Sequence, residues 1–159
     1  MSICPTAAGN RPLWPFGHGL SFTTFEMQHA HDCYQNQTAS TITAQGKVIG
    51  SVAVTILNTG DRAGAEVLQL YVSGLDSAVP RPSRELHGFS KVHLQPGEEN
   101  FVEISIDSYA TSFWDEKEDI WCTQSGRYEL TVVGTACKTA QLSVPELLHV
   151  KDTVRWLGV

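Results

Sequence analysis

The chain has 159 residues, 42% of them hydrophobic, which is enough for one well-buried core; a domain of this length typically buries about two-thirds of its unfolded surface. Its formal net charge is −6 and its 11 Lys and Arg residues are scattered rather than clustered, which argues against a nucleic-acid partner. No apolar run approaches the ~18 residues of a membrane span, and no charged-then-apolar leader follows Met1, so neither a membrane segment nor a signal peptide is expected. Cys4, Cys33, Cys122 and Cys137 are widely spaced without a Cys-x-x-Cys pair. That pattern disfavours structural zinc and leaves two readings open, free thiols or a Cys122–Cys137 disulfide across one strand.

Residues 1–10 carry Pro5, Ala7, Ala8 and Gly9 without periodicity and are expected to form a poorly ordered leader. Residues 11–28 form an arm leading into a first strand. Pro12 and Pro15 forbid a helix and Gly17 and Gly19 allow tight bends, while Leu13, Trp14, Phe16, Leu20, Phe22 and Phe25 carry more apolar area than a loose linker could expose. These six are the candidate packing residues of a docking arm. Residues 29–46 read as a polar loop containing the sequon Asn36-Gln37-Thr38, which could carry a glycan only in a secreted protein.

The pattern then becomes regular. Val52, Val54 and Ile56 alternate with Ser51, Ala53 and Thr55; after the breakers Asn58-Thr59-Gly60-Asp61 and Gly64, Leu68, Leu70 and Val72 alternate with Val67, Gln69 and Tyr71. The two runs predict a hairpin from Val48 to Val72 with one apolar face, which a second sheet must cover. A proline-bearing loop from Ser73 to Pro82 and a strand from Arg84 to Leu94 follow, then the type II turn Gln95-Pro96-Gly97-Glu98. Val102, Ile104 and Ile106 mark the next strand. Phe113-Trp114 and Ile120-Trp121 bracket the acidic turn Asp115 to Asp119; Tyr128, Leu130 and Val132 mark another strand, and a last one falls near Thr139 to Val144. Seven or eight short strands with no convincing helix predict an all-β antiparallel sandwich of the immunoglobulin or fibronectin type III kind over residues 47–144, with 145–159 as a tail.

Few side chains suggest chemistry. His29, His31 and Cys33 would share one side of a strand, but no fourth ligand is evident, so no metal site is expected. Asp115, Glu116, Glu118 and Asp119 invite comparison with the carboxylate pair of sugar hydrolysis, yet they fall in one turn, where carboxylates normally face water. No Gly-x-Ser-x-Gly elbow accompanies the Ser, His and Asp residues. Trp114 and Trp121 are candidate sugar contacts, with core or interface packing as the other reading. Arg81, Arg84 and Glu85 could form a local ion pair worth roughly 0–1 kcal/mol if exposed.

Several blocks, in order, resemble one family. Pro12-Leu13-Trp14-Pro15-Phe16-Gly17-His18-Gly19-Leu20-Ser21-Phe22-Thr23-Thr24-Phe25, the run from Val54 to Val72, Pro80-Arg81-Pro82 with Arg84 to Val92, Leu94 to Glu98, Ser112 to Asp115, Ser125 to Tyr128 and Val154-Arg155-Trp156-Leu157-Gly158 are similar to the C-terminal region of glycoside hydrolase family 3 enzymes, above all fungal-type β-glucosidases. The resemblance implies a fibronectin type III-like accessory domain, a piece of a larger β-glycosidase. It also implies that the nucleophile and acid/base belong to upstream domains, so no residue here inherits a catalytic role and no cofactor is called for. By the same resemblance the arm is a junction packing on those catalytic domains, with the loop from Asp76 to Ser83 placed at the rim of the substrate entrance, where a β-glucoside or oligosaccharide could touch it. A β-xylosidase parent and a stand-alone carbohydrate- or protein-binding module are the alternatives that the sequence leaves open.

Overall fold

The computed structural model describes residues 13, 18–32, 48–134, 141–143 and 148–157. The described chain is built almost entirely of antiparallel strands. In order they are β1 (Phe25–Asp32), β2 (Val48–Asn58), β3 (Gly64–Gly74), β4 (Glu85–Leu94), β5 (Glu99–Asp107), a single 3-10 turn (Ser108–Thr111), β6 (Ser112–Asp115), β7 (Ile120–Thr123), β8 (Gly126–Gly134), β9 (Gln141–Ser143), β10 (Leu148–Val150) and β11 (Val154–Trp156). Three sheets result, in the orders β1-β2-β5, β10-β8-β3-β4 with β9 also on β8, and β11-β7-β6.

The first two sheets face each other across one core. Phe25 and Met27 from β1, Val52, Val54 and Ile56 from β2 and Val102, Ile104 and Ile106 from β5 meet Leu68, Leu70, Val72, Leu94, Leu130 and Val132. Each such side chain contributes about 1.5–3 kcal/mol by leaving water, so the alternation seen in the sequence is what selects these faces. Gln69, Tyr71, Thr131 and Val133, on the opposite face of β3 and β8, are buried as well.

One expectation is overturned. β2 and β3 are not paired with each other as a hairpin: β2 pairs with β1 and β5, whereas β3 pairs with β4 and β8. Their apolar faces therefore cover each other, and the connection at residues 59–63 carries the chain from one sheet to the other. The physical reason lies in Asn58, fully buried at the bend. Its Nδ2 donates to the carbonyls of Arg62 (2.8 Å) and Leu94 (3.1 Å), while Oδ1 accepts from Gly60 N (3.1 Å) and Thr23 Oγ1 (2.7 Å). The amide holds the loop folded back over the end of the sandwich, where a two-residue hairpin turn would have kept both strands in one sheet.

A second crossing follows the predicted turn at Gln95–Glu98. Glu98 N donates to Gln95 O at 3.0 Å, and Gly97 takes φ +73°, as the third position of a type II turn requires. β4 ends in one sheet and β5 begins in the other. Along this side the two strands come close at Gly88, where a Cβ would lie 2.6 Å from Ile104 Cγ2. Two further differences concern boundaries: β1 continues to Asp32, into the stretch read as polar loop, and the tail contains β10, paired to β8, and β11, paired to β7. The leader, the sequon at Asn36, Cys4, Cys33 and Cys137 lie outside the described residues.

Candidate functional site

The third sheet carries the least expected feature. Trp114, Trp121 and Trp156 are register partners across β6, β7 and β11, and their rings form a ladder: Trp121 stacks on Trp156 (5.7 Å, 15°) and receives Trp114 edge-on (5.6 Å, 76°). Tyr109, from the 3-10 turn, closes the ladder from the side with its ring 5.0 Å from both Trp121 and Trp156. Beneath it runs a chain of polar bonds. Trp156 Nε1 donates to Thr123 Oγ1 (3.1 Å), Thr123 and Ser112 share a hydroxyl bond (2.6 Å), and Ser112 Oγ donates to Ser108 O (2.6 Å). Since Ser112 has one hydroxyl proton, already given to Ser108, Thr123 is the donor between the two.

Beside this sheet, between it and the loop at residues 78–81, lies a cleft of about 700 Å³. Ala78, Val79, Pro80 and Phe113 supply apolar walls; Arg81, Asp115, Glu116, Lys117, Gln124, Thr153 and Arg155 supply polar groups. Arg81 is fixed rather than mobile. Its guanidinium takes Glu85 in a two-point pair (3.0 and 3.1 Å) and reaches the carbonyl of Ser112 (3.3 Å), which ties the loop to β6. With only 10% of the Arg81 side chain exposed, the pair is more than the surface contact expected from sequence. At the loop's start Asp76 accepts from Arg127 Nε, Nη2 and backbone N at 2.8–3.0 Å, and these bonds hold its carboxyl down at about 2.

The cleft also touches Cys122, a free thiol that burial pushes above its ordinary value, keeping it protonated and a poor nucleophile. Asp115 and Glu116 lie next to each other in one wall, not across the cleft from one another, so they lack the opposed arrangement that glycoside hydrolysis uses. Among the described residues no cluster of His, Cys, Asp and Glu could hold a metal ion.

The sequence candidates separate. Trp114 is 43% exposed and lines the cleft; Trp121 does not line it and is held between Tyr109, Trp114 and Trp156. Of the arm, Leu13, Leu20 and Phe22 are 86%, 98% and 90% exposed, Trp14 and Phe16 lie outside the described residues, and Phe25 is fully buried. Phe25 thus departs from its expected place at an interface, because as the first residue of β1 its ring points between the sheets. The aromatic ladder is not legible in the sequence: its third member, Trp156, sits in what reads as a tail, and only the cross-strand register brings it to Trp121.

The architecture defines the class, an antiparallel sandwich with two principal sheets. Residues 66–136 match the fibronectin type III-like domain family. A probable β-glucosidase H of Neosartorya fischeri is 44% identical over 151 residues, which cover 95% of this chain and 17% of that protein. Among solved structures, a Kluyveromyces marxianus β-glucosidase superposes with a TM-score of 0.72 at 36% identity, covering 92% of this chain and 16% of that one, and the D2-BGL β-glucosidase of Chaetomella raphigera gives 0.78 at 30% identity, covering 89% and 21%. The chain thus carries a fibronectin type III-like domain and is similar over nearly its whole length to a part of these β-glucosidases, spanning about a sixth of the length of the relatives it matches.

Proposed function

We propose that this domain serves as a non-catalytic, C-terminal accessory domain of a family 3 β-glucosidase that releases terminal β-D-glucosyl residues, and that it braces the catalytic domains through its arm. The observation that carries this reading is the exposure of Leu20 and Phe22, two large apolar side chains left in solvent by a domain whose core is fully formed without them. A domain that has already satisfied its own core gains nothing from such an arm unless another surface covers it. The named relatives favour a glucosidase parent over a xylosidase.

The test joins two measurements. The purified chain should hydrolyse an aryl β-glucoside no faster than a buffer blank. Added to a β-glucosidase related to that of Neosartorya fischeri but truncated before the matching region, it should raise the melting temperature of the truncated enzyme, and Leu20→Ser with Phe22→Ser should abolish that gain. Hydrolysis by the chain alone, or a gain unchanged by the double substitution, would overturn the proposal.

A further inference from the structure

The loop that walls the cleft is fastened to β6 through a carboxylate that a neighbouring histidine can claim. We propose that Glu85 makes this fastening acid-sensitive: while His87 is neutral, Glu85 holds Arg81 and the loop at residues 79–84 stays against β6, and once His87 takes a proton, Glu85 turns to the imidazolium and the loop is released. The inference goes beyond the accessory role and does not depend on it.

The backbone of β4 sets up the competition. Leu70 pairs with Gly88 and Tyr71 with Leu86, so His87 is the extra residue of a β-bulge, an irregularity that re-aims a side chain. His87 Nε2 lies 3.6 Å from Glu85 Oε2, too far for a hydrogen bond, and is buried with no partner. The same carboxylate accepts from Arg81, Oε1 from Nε at 3.0 Å and Oε2 from Nη2 at 3.1 Å. Nη2 is also the atom that reaches Ser112 O, at 3.3 Å, so one guanidinium nitrogen carries both the ion pair and the tie to β6. Oε2 is the oxygen at which the two claims meet.

The proton on His87 decides between them. A neutral ring has no charge to pair, but an imidazolium is a donor at both nitrogens, and a buried charge without a partner is costly. The charged groups that face it from the loop, β4 and β5 are Arg81, Glu85 and Asp107. Asp107 is engaged in capping the 3-10 turn, where Oδ1 accepts from Tyr109 N at 3.0 Å, and among the described residues Glu85 alone comes within ion-pair distance of His87. Burial chiefly, with the Arg81 charge adding to it, pushes the ring below its ordinary 6.5 against the pull of Glu85 and Asp107. The fastened loop thus binds the proton more weakly than a loop from which Arg81 has withdrawn, and by reciprocity a proton on His87 favours release. The fastening is complete above pH 6.5 and weakens as the pH falls through the ring's lower value.

The surrounding groups keep the release local. From β8, Tyr128 faces Arg81 and Glu85, and burial pushes its hydroxyl up; the Cys122 thiol is pushed up as well, so both stay protonated throughout. At the loop's start the Arg127 bonds hold Asp76 down at about 2, so that end stays ionised and fastened. His149 faces Asp76 and calls for a control of its own.

The experiment is a titration of the full 159-residue chain from about pH 8 to about pH 5, followed by backbone amide and histidine-ring NMR. The amides of Val79, Arg81, Ser83 and Phe113 should move in one transition with the His87 ring, and the order parameters of the three loop residues should fall, while Leu75 and Arg127 stay in place. His87→Gln should abolish the response and His149→Gln should leave it whole. Arg81→Gln should give a loose loop already at neutral pH and raise the His87 midpoint toward 6.5, a reciprocal shift that a loop merely softened by acid does not produce. The proposal is overturned if the loop amides ignore the His87 transition, or if they respond to acid equally in His87→Gln. It is also overturned if the His87 midpoint in Arg81→Gln fails to rise, an outcome that is read without the His87 variant.

Discussion

Asn58 shows how much one amide can do. Its side chain spends both protons on carbonyls of the 59–63 connection and of β4, and its oxygen takes two donors, one from the arm. Asn58→Ala leaves the Leu94 carbonyl and the Thr23 hydroxyl buried with fewer partners, at about 1–3 kcal/mol each. The expected loss is about 3 kcal/mol, or roughly 6–12 °C in melting temperature for a chain of this size. Asn58→Asp separates packing from bonding. Nearly the same shape, it turns two donors into acceptors facing carbonyls, so thermal melts at neutral pH should show it at least as unstable as the alanine variant. It should recover in part in acid, where the carboxyl regains a proton to donate.

His87 gives the second prediction at this scale. Its Nε2 is buried without a hydrogen bond, 3.6 Å from Glu85 Oε2, and burial lowers its value below the ordinary 6.5 more than Glu85 and Asp107 raise it. A lowered value means that folding favours the neutral ring. That contribution is complete above pH 6.5 and is lost as the pH falls through 6.5 toward the lower folded-state value. Urea unfolding at about pH 7.5 and about pH 5 should therefore show a smaller acid-induced drop in His87→Gln than in the parent chain. Equal drops in the two proteins would mean that His87 does not carry the effect.

Strands were legible wherever one face is buried, because a period of two survives in the sequence as alternation. β2, β3, β5 and β8 all announce themselves this way, and Pro96-Gly97 fixes its turn through glycine's positive φ. What alternation cannot convey is which strand lies beside which. The pattern of β2 and β3 is equally that of a hairpin or of two strands facing across a core, and the difference rests on the buried bonds of Asn58, a residue whose type suggested only a turn. The short strands were illegible for another reason. β10 and β11 are three residues each, too few to display a period, and β11 is recognisable only through Trp156 meeting Trp121 in register. The cleft was hidden likewise, since its walls come from three separated stretches of chain. β11 nonetheless bears weight: Trp156→Ala should cost about 3–4 kcal/mol by emptying the end of the ladder and freeing Thr123 Oγ1. Trp156→Phe, keeping a ring but not the N–H, should cost less than half of that, and denaturant melts of the two variants give the comparison.

At the scale of the molecule the question is where this domain ends and its surroundings begin, and the arm draws that line within three residues. Phe22 is 90% exposed; Phe25 is fully buried among Ile56, Leu68 and their neighbours. Both are phenylalanines in one continuous block of sequence, so hydrophobicity alone assigns them the same role. The change between them is made by Thr23 and Thr24. Thr23 gives its hydroxyl proton to Asn58, and the carbonyl of Thr24 accepts from Thr59 N at 2.8 Å, so the chain is fastened to the end of the sandwich just before β1 begins. Leu20 and Phe22, before the fastening, stay out of the core, and on the proposed reading pack against another domain; Phe25 and Met27, after it, belong to the core. Two substitutions of the same kind should then behave oppositely. Phe25→Ala removes a core ring and should cost about 3–5 kcal/mol in the isolated chain. Phe22→Ala should change the isolated chain's stability by no more than about 0.5 kcal/mol while reducing its self-association, because it removes exposed apolar area. In a full-length enzyme carrying this domain the order of harm at Phe22 reverses, with the loss appearing as a lower melting temperature of the catalytic portion. Denaturant unfolding and sedimentation of the two variants measure the first pair of outcomes, and a destabilised Phe22→Ala chain would move the boundary upstream of the threonines.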